Sequence, residues 1–390
     1  MDGFSPSTKI NREENMQTTR REFVKLSAVA TASAAFLNDF AAVAGAGAPL
    51  SPDEAVSLEE CQGMDYLKMA ETSPLVRNSW NYLRREISGI KDPGIRALTE
   101  DIYGDSTPRL SRDRRERGHI WKELSAAGYT GQSLENVLPP LPADMRSKYP
   151  YIASPGSGYG SHHAYPGGLV THVAANVKIT EAIVNTYVEI YGYSVNRDIA
   201  VAAQLLHDLH KPYVFQWLDD ASSRAEPPLA GAGEHHVLSG AELLARKAPA
   251  ELVVAQICAH THPGTDEEEK KVVAWLKAAA VIAGVDPVRY GLLDKNGETL
   301  PRPRKQEGFI CHLGDHDFVL SVPAVQWTLP VLREIARSDY KLSARDLDGK
   351  PFNSLRNLIF SRISAMRLEH LYAQGREQLR AAVHAVVKPV

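Results

Sequence analysis

Cysteine is scarce in this chain, and so are long apolar runs, strand-like alternation and any excess of one charge. The 3 cysteines, Cys61, Cys258 and Cys311, are odd in number and lack CxxC spacing, which argues against a disulfide framework even in an oxidising compartment. Cys258 and Cys311 lie close to candidate ligands. Core packing, rather than a single bridge between them, is the expectation. A formal net charge of -3 and a pI near 6.5 argue against a general nucleic-acid or anionic-membrane binder, which needs a concentrated basic excess. The basic run Arg109, Arg112, Arg114, Arg115 and Arg117 is interrupted by Asp113 and Glu116 and reads as a solvated helix face. The apolar stretch from Leu26 to Leu37 falls short of the roughly 20 residues that a stable bilayer anchor takes. Neither an internal repeat nor a long low-complexity segment is present.

What is present begins at the N-terminus. Thr19-Arg20-Arg21-Glu22-Phe23-Val24-Lys25 resembles a twin-arginine export signature, and an Ala-rich apolar run follows it directly. Small residues close the segment at Ala42-Val43-Ala44 or Ala46-Gly47-Ala48, as a cleaved signal peptide over residues 1–48 requires. The start is Met1 or Met16. The expected partner is the twin-arginine export machinery, and the expected location is outside the cytoplasm, in a bacterial periplasm, without a stable membrane anchor in the mature form.

With 390 residues, 44% hydrophobic and 23% charged, the chain can bury a large core. Punctuation by Ser73-Pro74, Asp92-Pro93-Gly94 and Gly104-Asp105 predicts several short helices in an N-terminal region, residues 49–150. That region ends in a Pro-rich linker through Pro139-Pro140-Leu141-Pro142 and Pro150. A helical domain follows over residues 151–345, and a helical extension over 346–390 carries Leu355, Leu358, Ile359, Ile363, Met366 and Leu371 at helix spacing. The expected fold is all-α.

Chemistry-bearing residues recur in apolar helical sequence. His172 shares a face with Asn176, Ile179 and Ile183 on a helix from Leu169 to Tyr187. An amphipathic helix from Asp198 to Leu206 delivers His207 and Asp208 at its end. An adjacent imidazole and carboxylate at a buried helix end are costly unless paired or metal-bound. In Glu234-His235-His236 either histidine can point inward, and His236 is taken as the ligand. His260 ends a helix from Ala250 to Ala259. Asp315 closes the apolar run Phe309-Ile310-Cys311-His312-Leu313-Gly314, beside His312, His316 and Asp317, which compete with it or orient the ligands. Five such segments supply enough nitrogen and oxygen donors for one or two divalent metals.

The run Ser161-His162-His163-Ala164-Tyr165-Pro166-Gly167-Gly168-Leu169-Val170-Thr171-His172 resembles the opening motif of HD-superfamily hydrolases, closest to the group that includes 3′-to-5′ exoribonucleases. Leu205-Leu206-His207-Asp208-Leu209-His210-Lys211 is similar to that superfamily's Leu-His-Asp-x-Gly-Lys block, with His210 where the family has Gly. His236 with Gly240, Ile257 with His260, and His312 with Asp315 match its later motifs. The resemblance covers about residues 161–322. It implies an HD-domain helical bundle, with added N-terminal helices and a C-terminal helical tail. His172, His207, Asp208 and Asp315 would hold a first metal. Asp208 would bridge to a second held by His236 and His260, with Fe, Mn, Co, Ni or Zn as the ion.

The implied activity is metal-dependent hydrolysis of a phosphomonoester or phosphodiester by an activated hydroxide. Asp208 and Lys211 are its candidate catalytic residues, Lys211 meeting a substrate phosphate or the leaving oxygen. His162, His163, His210, His235 and His262 are candidate pocket residues. The expected substrate is a small phosphorylated molecule rather than a long nucleic acid. Two other readings stand beside this one. HD-fold mixed-valent di-iron oxygenases, such as myo-inositol oxygenase, share the ligand order and cleave C–C or C–P bonds, and a non-catalytic metal or ligand-binding protein would need the same side chains.

Overall fold

A computed structural model describes residues 54–111, 117–138 and 150–390. The twin-arginine segment, the centre of the arginine run and most of the Pro-rich linker lie outside the described residues. The fold is all-α. Among the described residues the named strands are β1 (Pro228–Leu229) and β2 (Ala232–Gly233), a two-residue antiparallel hairpin. No helix among them is long and apolar enough to cross a membrane.

The N-terminal helices begin where the sequence offers caps. Ser57 and Glu60 form a capping box on α1 (Leu58–Gly63), and Asp65 caps α2 (Tyr66–Thr72). Ser73 caps α3 (Pro74–Gly89), and Asp92 caps α4 (Pro93–Gly104), each with Pro in the first turn, where its missing N–H costs nothing. Helix α5 (Arg117–Ala126) follows. Arg117 is exposed, as a solvated face has it, and its guanidinium also donates to the Val137 and Leu138 carbonyls at 2.8 and 2.7 Å.

The central helices are α6 (Gly168–Tyr191), α7 (Arg197–Leu206), α8 (Glu234–Ala245), α9 (Ala250–Ile257), α10 (Asp266–Ala283) and α11 (Glu307–Gly314). Helix α6 packs on α3, α7 and α11, while α7 also meets α9, and α8 lies along α10. Their apolar faces form one continuous core that includes Val170, Val173, Leu205, Leu206, Leu238, Ile257 and Leu276. Gly168 permits the tightest approach: a Cβ there would lie 1.7 Å from the His163 carbonyl oxygen.

A second core gathers both flanks of the chain. Helices α12 (Phe318–Asp339), α13 (Lys350–Ile363), α14 (Ala365–Gln374) and α15 (Arg376–His384) bury Leu355, Leu358, Ile359 and Ile363 together with Cys61, Met69 and Tyr165. Ser73 Oγ donates to the Ser361 carbonyl at 2.6 Å, and Val56 pairs with Val387 in a parallel bridge. All three cysteines are buried and free.

Candidate metal centre

Each ligand arrives at or near a helix end facing the gap between α6, α7, α9 and α11. His172 stands on the first turns of α6 and His207 caps the end of α7. Asp208 follows in the turn after α7, His260 closes the 3₁₀ turn after α9, and Asp315 caps α11. Four of them converge. His172 Nε2 and His207 Nε2 lie 3.3 Å apart. Each is 3.2 Å from Asp315 Oδ1, and they stand 3.2 and 3.1 Å from Asp208 Oδ2. Donors about 2.1 Å from one ion and at right angles to each other are separated by about 3 Å. These separations therefore suit a single cation at their centre.

Neighbouring groups fix the donor faces. His207 Nδ1 donates to the Gln204 carbonyl at 2.7 Å, and His172 Nδ1 faces Asp317 Oδ1 at 3.1 Å, so both Nε2 atoms turn inward. Asp317 Oδ2 accepts from His163 Nε2 at 2.7 Å. Asn176 Nδ2 donates to Asp315 Oδ1 at 2.7 Å. Glycine at 314 leaves room for this crossing, since a Cβ would lie 2.0 Å from Thr180 Oγ1.

Charge in the cluster calls for a cation. Burial would raise the Asp208 carboxyl, yet the His207 imidazolium and the Lys211 ammonium hold it well below the usual carboxylate range. Burial would likewise lower His207, but Asp208 and Asp315 push it up to about 9. His172 is raised for the same reason, against its own burial, by Asp317, Asp208 and Asp315. Two ionised carboxylates in a dry site thus draw protons onto the imidazoles, and a divalent ion held there would replace those protons.

A second group of donors lies beside the first. His235, His236 and His260 each offer a nitrogen within 4.8 Å of the others. Burial, reinforced by the neighbouring imidazoles, keeps His236 far below its ordinary value. Burial also brings His260 down to about 4, with Asp315 opposing. His236 and His260 are thus neutral rings. His260 Nε2, His236 Nδ1 and Asp208 Oδ1 are buried without a hydrogen bond, the condition of atoms built to meet an ion. The donor set fits one cation at the first cluster and admits another at the second.

The remaining candidates divide. Lys211 is buried with Nζ 2.5 Å from both Asp208 Oδ2 and the Gly156 carbonyl. It lines a cavity of about 550 Å³, whose wall also includes His162, His235, His236, His260 and Asp315. His163 sits behind this wall, held between Asp317 and the Tyr165 hydroxyl. His210 does not reach the cavity: in the tight turn after Asp208 its ring is carried to the opposite side, where Nε2 faces Glu242 Oε2 at 3.5 Å. His262 pairs instead with Glu268 at 3.4 Å near the surface. Tyr159, Phe215, Glu226 and Phe318, which lack motif spacing, also line the cavity. They come from loops and helix ends, where neither periodicity nor ligand chemistry marks them.

Residues 170–283 match the HD domain family. The match stops short of Asp315. Over 92 residues the chain is 36% identical to a dihydroneopterin 2′,3′-cyclic phosphate phosphodiesterase of Methanocaldococcus jannaschii, covering 24% of this chain and 36% of that protein. Over 137 residues it is 29% identical to a 3′-5′ exoribonuclease of a Geobacillus species, covering 32% of this chain and 38% of that protein. The chain thus aligns with little more than a third of the length of these relatives. No solved structure matches it.

Proposed function

We propose that this chain is a divalent-metal-dependent phosphohydrolase acting on a small phosphomonoester or phosphodiester. The observation that carries the reading is the convergence of His172, His207, Asp208 and Asp315, with donors 3.1 to 3.3 Å apart, beside a buried lysine at the cavity wall. Divalent ions bound there supply an activated water and neutralise charge developing on phosphoryl oxygens. The protein's own part is to orient and to exclude solvent. Asp208 offers Oδ2 to the first cluster and Oδ1 to the second. Lys211 Nζ stands where it can leave Asp208 for a phosphate oxygen, and His162 lines the same cavity as a neutral ring, which burial brings down to about 2.

The cavity supports a small substrate. Among the described residues Lys211 is its one lysine and no arginine lines it, while Tyr159, Phe215 and Phe318 give it aromatic walls. A long polyanion needs many cationic contacts. The relatives named for cleaving phosphodiesters favour hydrolysis over the oxygenase reading, which draws on the same ligands. The proposal also has the protein exported folded and already loaded with metal, through Arg20-Arg21. Replacing both with Lys is expected to hold it in the cytoplasmic fraction. Undiminished export of that variant would remove this part.

The deciding experiment is elemental analysis of protein purified without added metal, with turnover of p-nitrophenyl phosphate, its bis ester and nucleoside 2′,3′-cyclic phosphates. His207→Ala and Asp208→Ala are expected to lose bound metal, and at least about 100-fold in activity. A folded wild type that binds none of Fe, Mn, Co, Ni or Zn would falsify the reading. Iron with oxygen consumption and no phosphoester turnover would replace it with the oxygenase.

A further inference from the structure

We propose that His235 is itself a ligand of the second ion, held in place by Glu226. This rests on the metal-dependent reading above and pairs His235 with His260 as nitrogen donors, where the motif match supplies His236 and His260.

Glu226 Oε2 accepts from His235 Nδ1 at 2.7 Å and from the His235 backbone N–H at 3.3 Å. The Nδ1 proton is thereby fixed, and the Nε2 lone pair points to Asp208 Oδ1, 3.5 Å away. Such a carboxylate behind an imidazole orients and enriches a metal ligand. His260 Nε2 lies 3.6 Å from the same oxygen. An imidazole holds an ion near its own ring plane, so two rings can share an ion only where their planes meet at it, as crossed planes do. His235 and His260 meet that condition, with an interplanar angle of 84° and centroids 5.2 Å apart. His236 does not in the arrangement seen: it stacks on His260 at 9° and 3.5 Å, and two parallel planes cannot both contain the ion. Its ring braces His260 unless it turns.

The seat of Glu226 is built into the local backbone. The β1-β2 hairpin brings Gly233 against it, and a Cβ at Gly233 would lie 2.6 Å from Glu226 Oε1. Any larger residue there would displace the carboxylate from His235. A second site with paired imidazoles favours Zn, Fe, Co or Ni over Mn or Mg.

The test uses the full chain, loaded with cobalt or zinc, as wild type, His235→Gln and Glu226→Gln, with thermal unfolding of the metal-free proteins as the folding control. The wild type is expected to hold two ions and His235→Gln one, with the visible spectrum of the cobalt protein altered. Glu226→Gln is expected to keep two at saturation, with the second bound about 10- to 100-fold more weakly. Two ions in a folded His235→Gln with an unchanged spectrum would overturn the inference. So would undiminished affinity in Glu226→Gln, which decides the matter if His235→Gln fails to fold. One ion in the wild type overturns it too, while leaving a mononuclear hydrolase standing. No ion in the wild type removes the proposed function itself.

Discussion

Asp317 lies between two imidazoles, taking His172 Nδ1 on one oxygen and His163 Nε2 on the other, at 3.1 and 2.7 Å. It touches no expected ion, yet it decides which nitrogen of His172 faces the cluster. Asp317→Asn is expected to fold normally and to weaken the first ion about 10- to 100-fold in a chelator competition. Unchanged affinity would reduce Asp317 to packing. Sequence reasoning left Asp317 either as a competitor of Asp315 or as a partner that orients the ligands. Spacing alone cannot rank two carboxylates two positions apart, whereas the end of α11 at Gly314 sends Asp315 to the ligands and Asp317 behind them. His210 carries the same lesson: its motif position suggested the pocket, but a turn of a few residues alternates sides faster than a helix.

At the scale of elements, α13 does more than bury an apolar stripe. Asn353 and Asn357 donate to the Asp220 and Ala221 carbonyls at 2.8 and 2.9 Å, and Arg356 Nη1 donates to the Ala164 carbonyl at 2.9 Å. The Arg356 guanidinium also lies 4.4 Å from the Tyr159 ring centre, behind the cavity wall. Arg356→Met is expected to leave metal content intact, to lower the melting temperature and to raise KM several-fold, because a buried carbonyl loses its donor. An unaltered KM would detach α13 from the cavity. The leucines and isoleucines of this helix were legible from spacing. Its buried polar residues were not, because periodicity assigns polar side chains to solvent unless their partners on distant loops are known. Helix α12 was obscured differently, since Pro323 and Pro330 lie inside it and proline ordinarily ends a helix.

Across the whole molecule, the ligand order was readable because histidine and aspartate in apolar helices are conspicuous, while the cavity walls come from segments without a common pattern. Glu242 ties these layers together. It accepts from the Arg109 and Leu110 backbones at 2.8 and 3.1 Å and from Arg246 Nε at 2.6 Å. Burial would raise its carboxyl, but His210, Arg246 and those N–H groups bring it down to about 2 from 4.5. Its folded value lies below its unfolded one, so its stabilisation is present above about pH 4.5 and is lost as pH falls toward about 2. Glu242→Gln is expected to melt lower at neutral pH and to show a shallower loss across that acid window; parallel melting curves would remove Glu242 from the acid response. The pairing of Val56 with Val387 has a temporal consequence. Val56 N–H donates to Val386 and Lys388 N–H to Val56, at 3.1 and 2.8 Å, so Val56 finds these partners only after the central helices between them have been translated. The central helices and their ligands emerge from the ribosome before that seal can form. The bridge is therefore a late contact, closed over a core whose ligand-bearing helices are already made.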